Sequence, residues 1–493
     1  MDILFDPNKN RMTNMQLCRL YMDEFVRSSE RKWMLDGEAY YRVDNPEIMN
    51  RKMYRYREDK TTGQIEKVLD RSKPNNKRAH GFMHLLIEDK TNYLLSKPYT
   101  LTCEESEEYL SMVQDILGKN FQDRRLMRLG VSASNGGIAW LHPYIDEQGK
   151  FQTMIIPPEQ GIPLWRDNDH EELNGFIWFY NVQVIEGQEQ KTVTKVEYWL
   201  SEAVAYYISD SEGEGWDLRL DSERYLDAVA DENSEFMEHF HIGNEAGNWG
   251  KVPFVPFKNN DYELPDLKFV KSLIDGYDKA RSDVANFLDE VRSIVYALKG
   301  YGGHDLGEFM RDLNYFRAIS LDEDGGAEAI TAPVDIAAAK DDFDTLRKDI
   351  YDFGQGVDKN CDKLGNSPSG IALKFVYSGL DLKCNRMENA FKAGMEQLFY
   401  FVDKYLELIG AGSHSGCEID IVFNRDIAIN ESQAITDCAA SKGIISDETI
   451  IKNHPWVEDA AEELERLNAQ REAEKAELSD MFPSNLDDEE GEA

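Results

Sequence analysis

Positive charge is scarce in this 493-residue chain: 55 Lys and Arg stand against 93 Asp and Glu, for a net charge of −38 at pH 7. Affinity for DNA comes largely from cations that neutralise phosphates, so the deficit excludes a protein that holds nucleic acid over its whole surface. Long apolar runs are also missing. None approaches the 18 residues of a membrane helix, and the opening Met1-Asp2-Ile3-Leu4-Phe5-Asp6 lacks the basic-then-apolar order of a signal peptide. The expectation is a chain with no membrane partner that is assembled in the cytoplasm. Cys18, Cys103, Cys361, Cys384, Cys417 and Cys438 show no C-x-x-C or Cys/His ligand spacing and read as reduced thiols. No Walker A loop, H-E-x-x-H or G-x-S-x-G is present, and paired carboxylates carry little weight in so acidic a chain. The expectation is therefore no catalytic residue, no cofactor and no metal site.

What is present is heptad order. Val270, Tyr277, Val284, Val291 and Leu298 recur every seven residues, with Leu273, Ala280, Phe287 and Ile294 on the second seam position. Read as one helix over 266–298, this is a rod of roughly 50 Å. A second seam follows at Ile336, Phe343 and Ile350, with Ala339, Leu346 and Phe353 beside it. Two readings of the pair stay open: an antiparallel hairpin buried inside one domain, or rods that pack against copies from neighbouring subunits.

The charge is uneven. Residues 1–100 carry 19 Lys and Arg against 15 Asp and Glu, so the acidity lies in the remainder. Within them 51–57 reads Arg-Lys-Met-Tyr-Arg-Tyr-Arg, and 73–78 is a second basic stretch. Interleaved Arg and Tyr can bind phosphates and stack on bases, although a solvated surface is the commoner use of such a run. Helical periodicity covers 14–36, 82–95 and 106–128. Period-two runs then predict strands at 138–145, 151–156, 176–185, 193–200 and 204–209, with hairpin turns at 146–149 and 186–188. Asp167, Asp169, Glu171 and Glu172 lack fixed ligand spacing and read as a solvated loop.

Between the rods, Lys299-Gly300-Tyr301-Gly302-Gly303 and Asp322-Glu323-Asp324-Gly325-Gly326 flank a predicted helix (305–314) and strand (316–321). The first is not a phosphate cradle and reads as a flexible hinge; the second lacks the remaining positions of a calcium loop and reads as a hairpin turn. After Gly354-Gln355-Gly356 comes a polar loop to 367, then a helix from Pro368 to about Ile409, roughly 60 Å long. A strand (417–424) and short helices at 431–441, 447–453 and 457–476 follow. From 458 to the end the chain holds 14 acidic and 3 basic residues, and 479–493 is expected to be a disordered acidic tail.

In this order the chain resembles the portal, or head-to-tail connector, proteins of tailed double-stranded DNA bacteriophages, siphophage type, from about Met12 to Glu477. The resemblance rests on Asn92-Tyr93-Leu94-Leu95-Ser96-Lys97-Pro98, on Gly137-Ile138-Ala139-Trp140 with Pro157-Pro158-Glu159, and on Pro253-Phe254-Val255-Pro256-Phe257-Lys258-Asn259-Asn260 leading into Leu273-Ile274-Asp275-Gly276-Tyr277-Asp278. Its most specific part is Ser369-Gly370-Ile371-Ala372-Leu373-Lys374 with Ser378-Gly379-Leu380-Asp381.

The resemblance implies an α+β ring subunit, with a mixed α/β wing (1–252), stem helices (253–298 and 336–353), a small α/β clip (299–335) and a tunnel loop (354–367). A long wing/crown helix (368–410), a helical crown (411–478) and the tail complete it. It implies a homo-oligomer, usually of twelve subunits, at the capsid portal vertex of the virion. The ring would pass double-stranded DNA and meet the terminase large subunit, a head-completion or tail adaptor protein, and the major capsid and scaffolding proteins. The residues expected to line the tunnel are Val357, Asp358, Lys359, Asn360 and Lys363, a nearly neutral set suited to contacts made and broken as DNA slides. Lys340 and Lys348 are candidates for facing the channel from the second rod, or for salt bridges to Asp341, Asp344 or Asp352. Val270, Tyr277, Val284, Val291, Phe343 and Ile350 form the expected oligomerisation seam, and Tyr301, Gly302 and Gly303 the clip's partner surface. The alternative is an acidic adaptor or scaffold ring without a DNA channel.

Overall fold

The computed structural model describes residues 12–58, 65–186, 189–210, 215–225, 235–242, 245–291, 295–299, 307, 326–330, 336–359, 370–414, 416–425, 431–457 and 460–481. The chain forms two units, one from 1–358 with 379–426 and one from 359–378 with 427–493. Helices and antiparallel sheets segregate along the first unit, which makes the fold α+β as expected.

The period-two runs become strands Ile138–Ile145, Phe151–Ile156, Leu173–Glu186, Glu189–Trp199 and Val204–Ser209. They lie in two sheets. Val255–Lys258, Ile138–Ile145 and Phe151–Ile156 pair in that order. Arg219–Leu220, Val204–Ser209, Glu189–Trp199, Leu173–Glu186 and Gly161–Trp165 make the larger, five-stranded one. Side chains alternate across a strand, so Phe176 and Ile177 enter different cores. Phe176, with Trp199 and Val204, meets Trp140 and Phe254 of the smaller sheet. Ile177, with Phe179, Val196 and Tyr207, covers Cys18 and Met22 of helix Asn14–Arg27. The larger sheet is thereby buried on both faces. Its last strand, Gly161–Trp165, goes unrecognised in the sequence because Pro163 and its short length weaken the signal.

Three helical expectations need adjustment. The run from Asn14 is two helices, because Ser28 leaves the first in extended backbone and caps Ser29–Tyr41, its hydroxyl accepting the Arg31 N–H at 3.1 Å. The run from Ser106 breaks at Gly118 (φ 64), passes through a π-helical turn at Phe121–Arg125 and continues as Leu126–Gly136. The first rod is shorter than its heptads: a 3-10 turn, Asp266–Phe269, precedes helix Lys271–Val291, and Val295–Lys299 is a strand paired with Gly326–Ile330. At 21 residues the helix spans about 31 Å. Leu298 satisfies a seven-residue seam and a strand alike, and its β-branched and aromatic neighbours Val295 and Tyr296 favour the strand.

The basic run of residues 51–57 becomes strand Tyr54–Glu58, paired with Ile65–Leu69 in an antiparallel hairpin. The acidic loop is held by its own backbone: the Asp167 carboxylate accepts the N–H groups of Glu171 (3.0 Å) and Glu172 (2.7 Å). Among the described residues no cluster of His, Cys, Asp or Glu is arranged to hold a metal. Of the described cysteines, Cys18 and Cys384 are buried and all five are free; burial, with Glu235 nearby, pushes the Cys18 thiol up to about 12.

The second unit holds helices Glu431–Ala440, Asp447–Lys452 and Ala460–Met481. Ser446 caps the middle helix, and Arg471 pairs with Asp447 at 2.8 Å. Within the segment expected as the crown, Asp420–Val422 pairs with Thr100–Thr102 inside the first unit. The tail beyond 481, the helix and strand predicted at 305–314 and 316–321 apart from residue 307, and Cys361 lie outside the described residues.

Candidate functional site

The two rods pack antiparallel within the chain. At one end Val270 lies against Gly354; towards the other the Tyr277 and Phe343 rings meet edge-on at 5.8 Å, with the Arg281 guanidinium over Phe343. Val270 and Ile350 are fully buried in a core with Tyr40, Phe82, Leu86 and Ile274, and Phe343, against Tyr277, is nearly so. These three are corrected from oligomerisation seam to core, because a side chain buried in its own subunit has no surface to offer another. Tyr277 is half-buried, stacked edge-on against His80 and Phe82, and Val284 is half-buried as well. Val291 ends the helix.

The other face of helix Lys271–Val291 carries polar side chains at four-residue spacing, which places them on one stripe. Asp278, Ser282 and Asn286 are buried there. Asp278 accepts from Asn45 and lies 2.6 Å from His80 Nδ1; burial raises its carboxyl despite these partners. Ser282 Oγ accepts the Arg78 N–H at 3.0 Å, and Asn286 Oδ1 accepts the Asn76 N–H at 2.6 Å. Asp283, beside the stripe, pairs with Arg51. The basic stretch 73–78 is thus fastened along the helix by its backbone, a use its composition does not disclose.

Where the second rod, Ile336–Gly354, ends, the chain turns through Gln355 at φ 53. The flanking glycines serve packing: a Cβ on Gly354 or Gly356 would lie 2.9 or 2.2 Å from Leu86. Val357 is buried, which corrects its assignment to the tunnel lining, and Asp358 is held by Arg347 at 2.6 Å. Lys359 is exposed, as are Lys340 and Lys348 on the rod; among the described residues neither of the two rod lysines makes a salt bridge to Asp341, Asp344 or Asp352, and Arg347 pairs with Asp358. Asn360, Lys363, Tyr301, Gly302 and Gly303 lie outside the described residues.

The start of the first rod and the end of the second meet at a buried charge cluster. Lys90 sits on the apolar face of helix Phe82–Leu95 with Met83, Leu86, Ile87 and Leu94. Its ammonium donates to Asp266 (2.6 Å) and Asn259 (2.7 Å), and Asn259 donates in turn to Asp266 (2.9 Å). Lys383, on helix Gly370–Leu408, lies 3.1 Å from Asp266 and donates to the Gly354 carbonyl at 3.0 Å. Burial alone would raise the Asp266 carboxyl, but Lys383, Lys90 and the hydrogen bonds hold it well below the usual carboxylate range. Burial pushes the Lys90 ammonium down to about 8 against the pull of Asp266, with Lys383 adding repulsion. A cavity of about 530 Å³ opens alongside, lined by Asn260, Phe269, Phe353, Lys383 and Arg386.

This cluster sets a pH dependence. A lysine depressed to about 8 from its ordinary value of 10.5 binds fewer protons folded than unfolded across that window, so stability rises with pH there. The stability of the wild type relative to Lys90→Met is expected to increase between about pH 8 and pH 10. Denaturant titrations of both proteins across that range check it; parallel curves would remove the depressed ammonium.

The α+β fold with paired helices ending at a charge-anchored loop can be set beside known proteins. The profile described as "Phage portal protein, SPP1 Gp6-like" matches residues 27–477, and the chain belongs to this family. It is 31% identical to the portal protein of Bacillus phage SPP1 over 461 residues, covering 93% of this chain and 86% of that protein. It is 29% identical to the portal protein of Clostridium phage phiCD119 over 423 residues, covering 83% and 88%. A solved structure titled "Neck of empty GTA particle computed with C6 symmetry" aligns at a TM-score of 0.43 and 11% identity, covering 76% of this chain and 90% of that one.

Proposed function

We propose that this chain forms the ring-shaped channel at one capsid vertex through which double-stranded DNA is packaged and later ejected. The observation that carries the reading is the family match over nearly the whole chain, 27–477. In this reading residues 1–252 are the wing, Lys271–Val291 and 336–353 the stem, 299–335 the clip, 354–367 the tunnel loop and 368–410 a long wing/crown helix, with 411–478 as the crown and 479–493 as its tail. The clip would meet first the terminase large subunit and later the head-completion or tail adaptor. The ring, of twelve subunits, would join the major capsid and scaffolding proteins, and the DNA motor's chemistry would belong to a separate protein.

The acidity supports a sliding surface: a wall of net negative charge does not retain a polyanion. Lys340 and Lys348, exposed on the second stem helix, supply the sparse cations such a wall needs to keep DNA from being expelled. Converting both to Glu is expected to leave rings intact and lower the length of DNA packaged, with the defect eased at higher salt as repulsion is screened. Packaging at the wild-type level in low salt would remove these lysines from the channel. Electron-microscope projections of the purified protein test the reading as a whole. A ring with a continuous bore is expected, and a ring without one favours an acidic scaffold.

A further inference from the structure

The hairpin Tyr54–Glu58/Ile65–Leu69 pairs with no third strand in the described structure. One face presents Tyr54, Tyr56, Ile65 and Leu69 around Lys67, whose ammonium lies over the Tyr54 ring, with Tyr56 76% and Ile65 73% exposed; Arg55 and Arg57, on the other face, are exposed too. A lone two-stranded ribbon is marginal in water, and an apolar face this open calls for a covering layer. Its base is nevertheless fixed. Met53 O accepts the Asp70 N–H at 2.9 Å, Asn75 donates to the Arg51 carbonyl at 2.9 Å, Arg51 pairs with Asp283, and Asn76 is bound to Asn286 and Asp289. An arm anchored to a stem helix is presented outwards in one orientation.

The charge says what covers it. Residues 51–78 hold ten Lys and Arg against four Asp and Glu, in a chain whose net charge is −38. The body of a second copy is therefore the complementary surface, carboxylate-rich and, like any protein surface, partly apolar. Duplex DNA would answer the arginines but offers nothing to Ile65 and Leu69. We propose that this hairpin is an assembly arm that docks on a neighbouring copy of the chain. The apolar face packs on the neighbour and Arg55 and Arg57 meet its carboxylates. The proposal rests on the ring reading above.

The test uses the full chain. A photo-crosslinking phenylalanine derivative replaces Tyr56, and two variants, Tyr56→Ser with Ile65→Ser and Arg55→Glu with Arg57→Glu, are compared with wild type by sedimentation, circular dichroism and binding of a duplex DNA probe. The expected results are covalent multimers after illumination, and unchanged circular dichroism with an assembled fraction lowered about tenfold or more in each variant. Rings that persist in both variants without intermolecular crosslinks overturn the arm alone. Assembly that survives while DNA binding is lost overturns it in favour of a nucleic-acid contact. A monomeric wild type in the same run overturns the ring reading and the arm with it.

Discussion

Asp266→Asn is expected to destabilise the first unit by about 3–5 kcal/mol, the usual result of removing one partner from a buried ionic cluster. Asp266 is the only carboxylate bonded to both Lys90 and Lys383 among the described residues, so its loss leaves two neighbouring ammonium groups without a counter-charge, that of Lys90 fully buried. Asn can still accept a hydrogen bond from one lysine, which leaves the charge uncompensated. Lys383 also holds the Gly354 carbonyl, so the end of the second rod should loosen, and proteolysis in 354–367 should accelerate. The double variant Asp266→Asn with Lys90→Met should recover much of the loss, because it removes the deeper of the two orphaned charges and puts an apolar side chain on an apolar face. Chemical denaturation of the three proteins measures this. A single variant within about 1 kcal/mol of wild type would mean that the cluster is not stabilising.

Gly137→Ala should be comparably damaging, and the reason is geometric. Gly137 closes helix Leu126–Gly136 at φ 86, and its N–H reaches the Ala133 carbonyl at 2.7 Å. A Cβ there would lie 2.0 Å from the Glu263 carbonyl oxygen. That atom is backbone, in a segment that carries Asn259 and leads to Asp266, so it cannot swing aside as a side-chain tip would. Left-handed strain and overlap together predict a loss of roughly 3 kcal/mol or more. Gly149→Ala is the control: the backbone is equally left-handed (φ 77), but no atom lies within 4 Å of the new methyl, and the loss should be about 1–2 kcal/mol. Equal losses in the two variants would remove the close approach as the cause.

Particular residues show how far the sequence carries. Ile138–Ile145, Phe151–Ile156 and Val204–Ser209 are legible because alternation, β-branching and Gly or Asp turns agree there. The end of the first rod is not, because 291–298 fits two periods and the pairing with Gly326–Ile330 is settled by distant chain. The hairpin at Tyr54 alternates Tyr with Arg, yet neither face is buried, so its period carries no burial signal. The heptads announced a helix pair correctly and left its partner open. Burial of Val270 and Ile350 puts this part of the seam inside the subunit. Of the charge cluster, Lys90 is legible as a cation on an apolar stripe. Asp266 is 176 residues away, and nothing local joins the two. The charge balance of the expected tunnel loop is arithmetic on the sequence, and Arg347 alters it by taking Asp358.

Gln355 leaves a trace in how this chain can drift. It occupies the left-handed region (φ 53) between two glycines that Leu86 keeps free of side chains. An L-residue held there gives up roughly 1 kcal/mol relative to glycine. Random substitution at this codon is therefore not uniformly harmful: Gly relieves the turn, and Asn and Asp tolerate it through local hydrogen bonds. Val, Ile and Thr, stiff at Cβ, do not fit. Variants recovered from a library randomised at position 355 should accumulate Gly and Asn and be empty of β-branched residues, the reverse of what an exposed position in an ordinary loop would return.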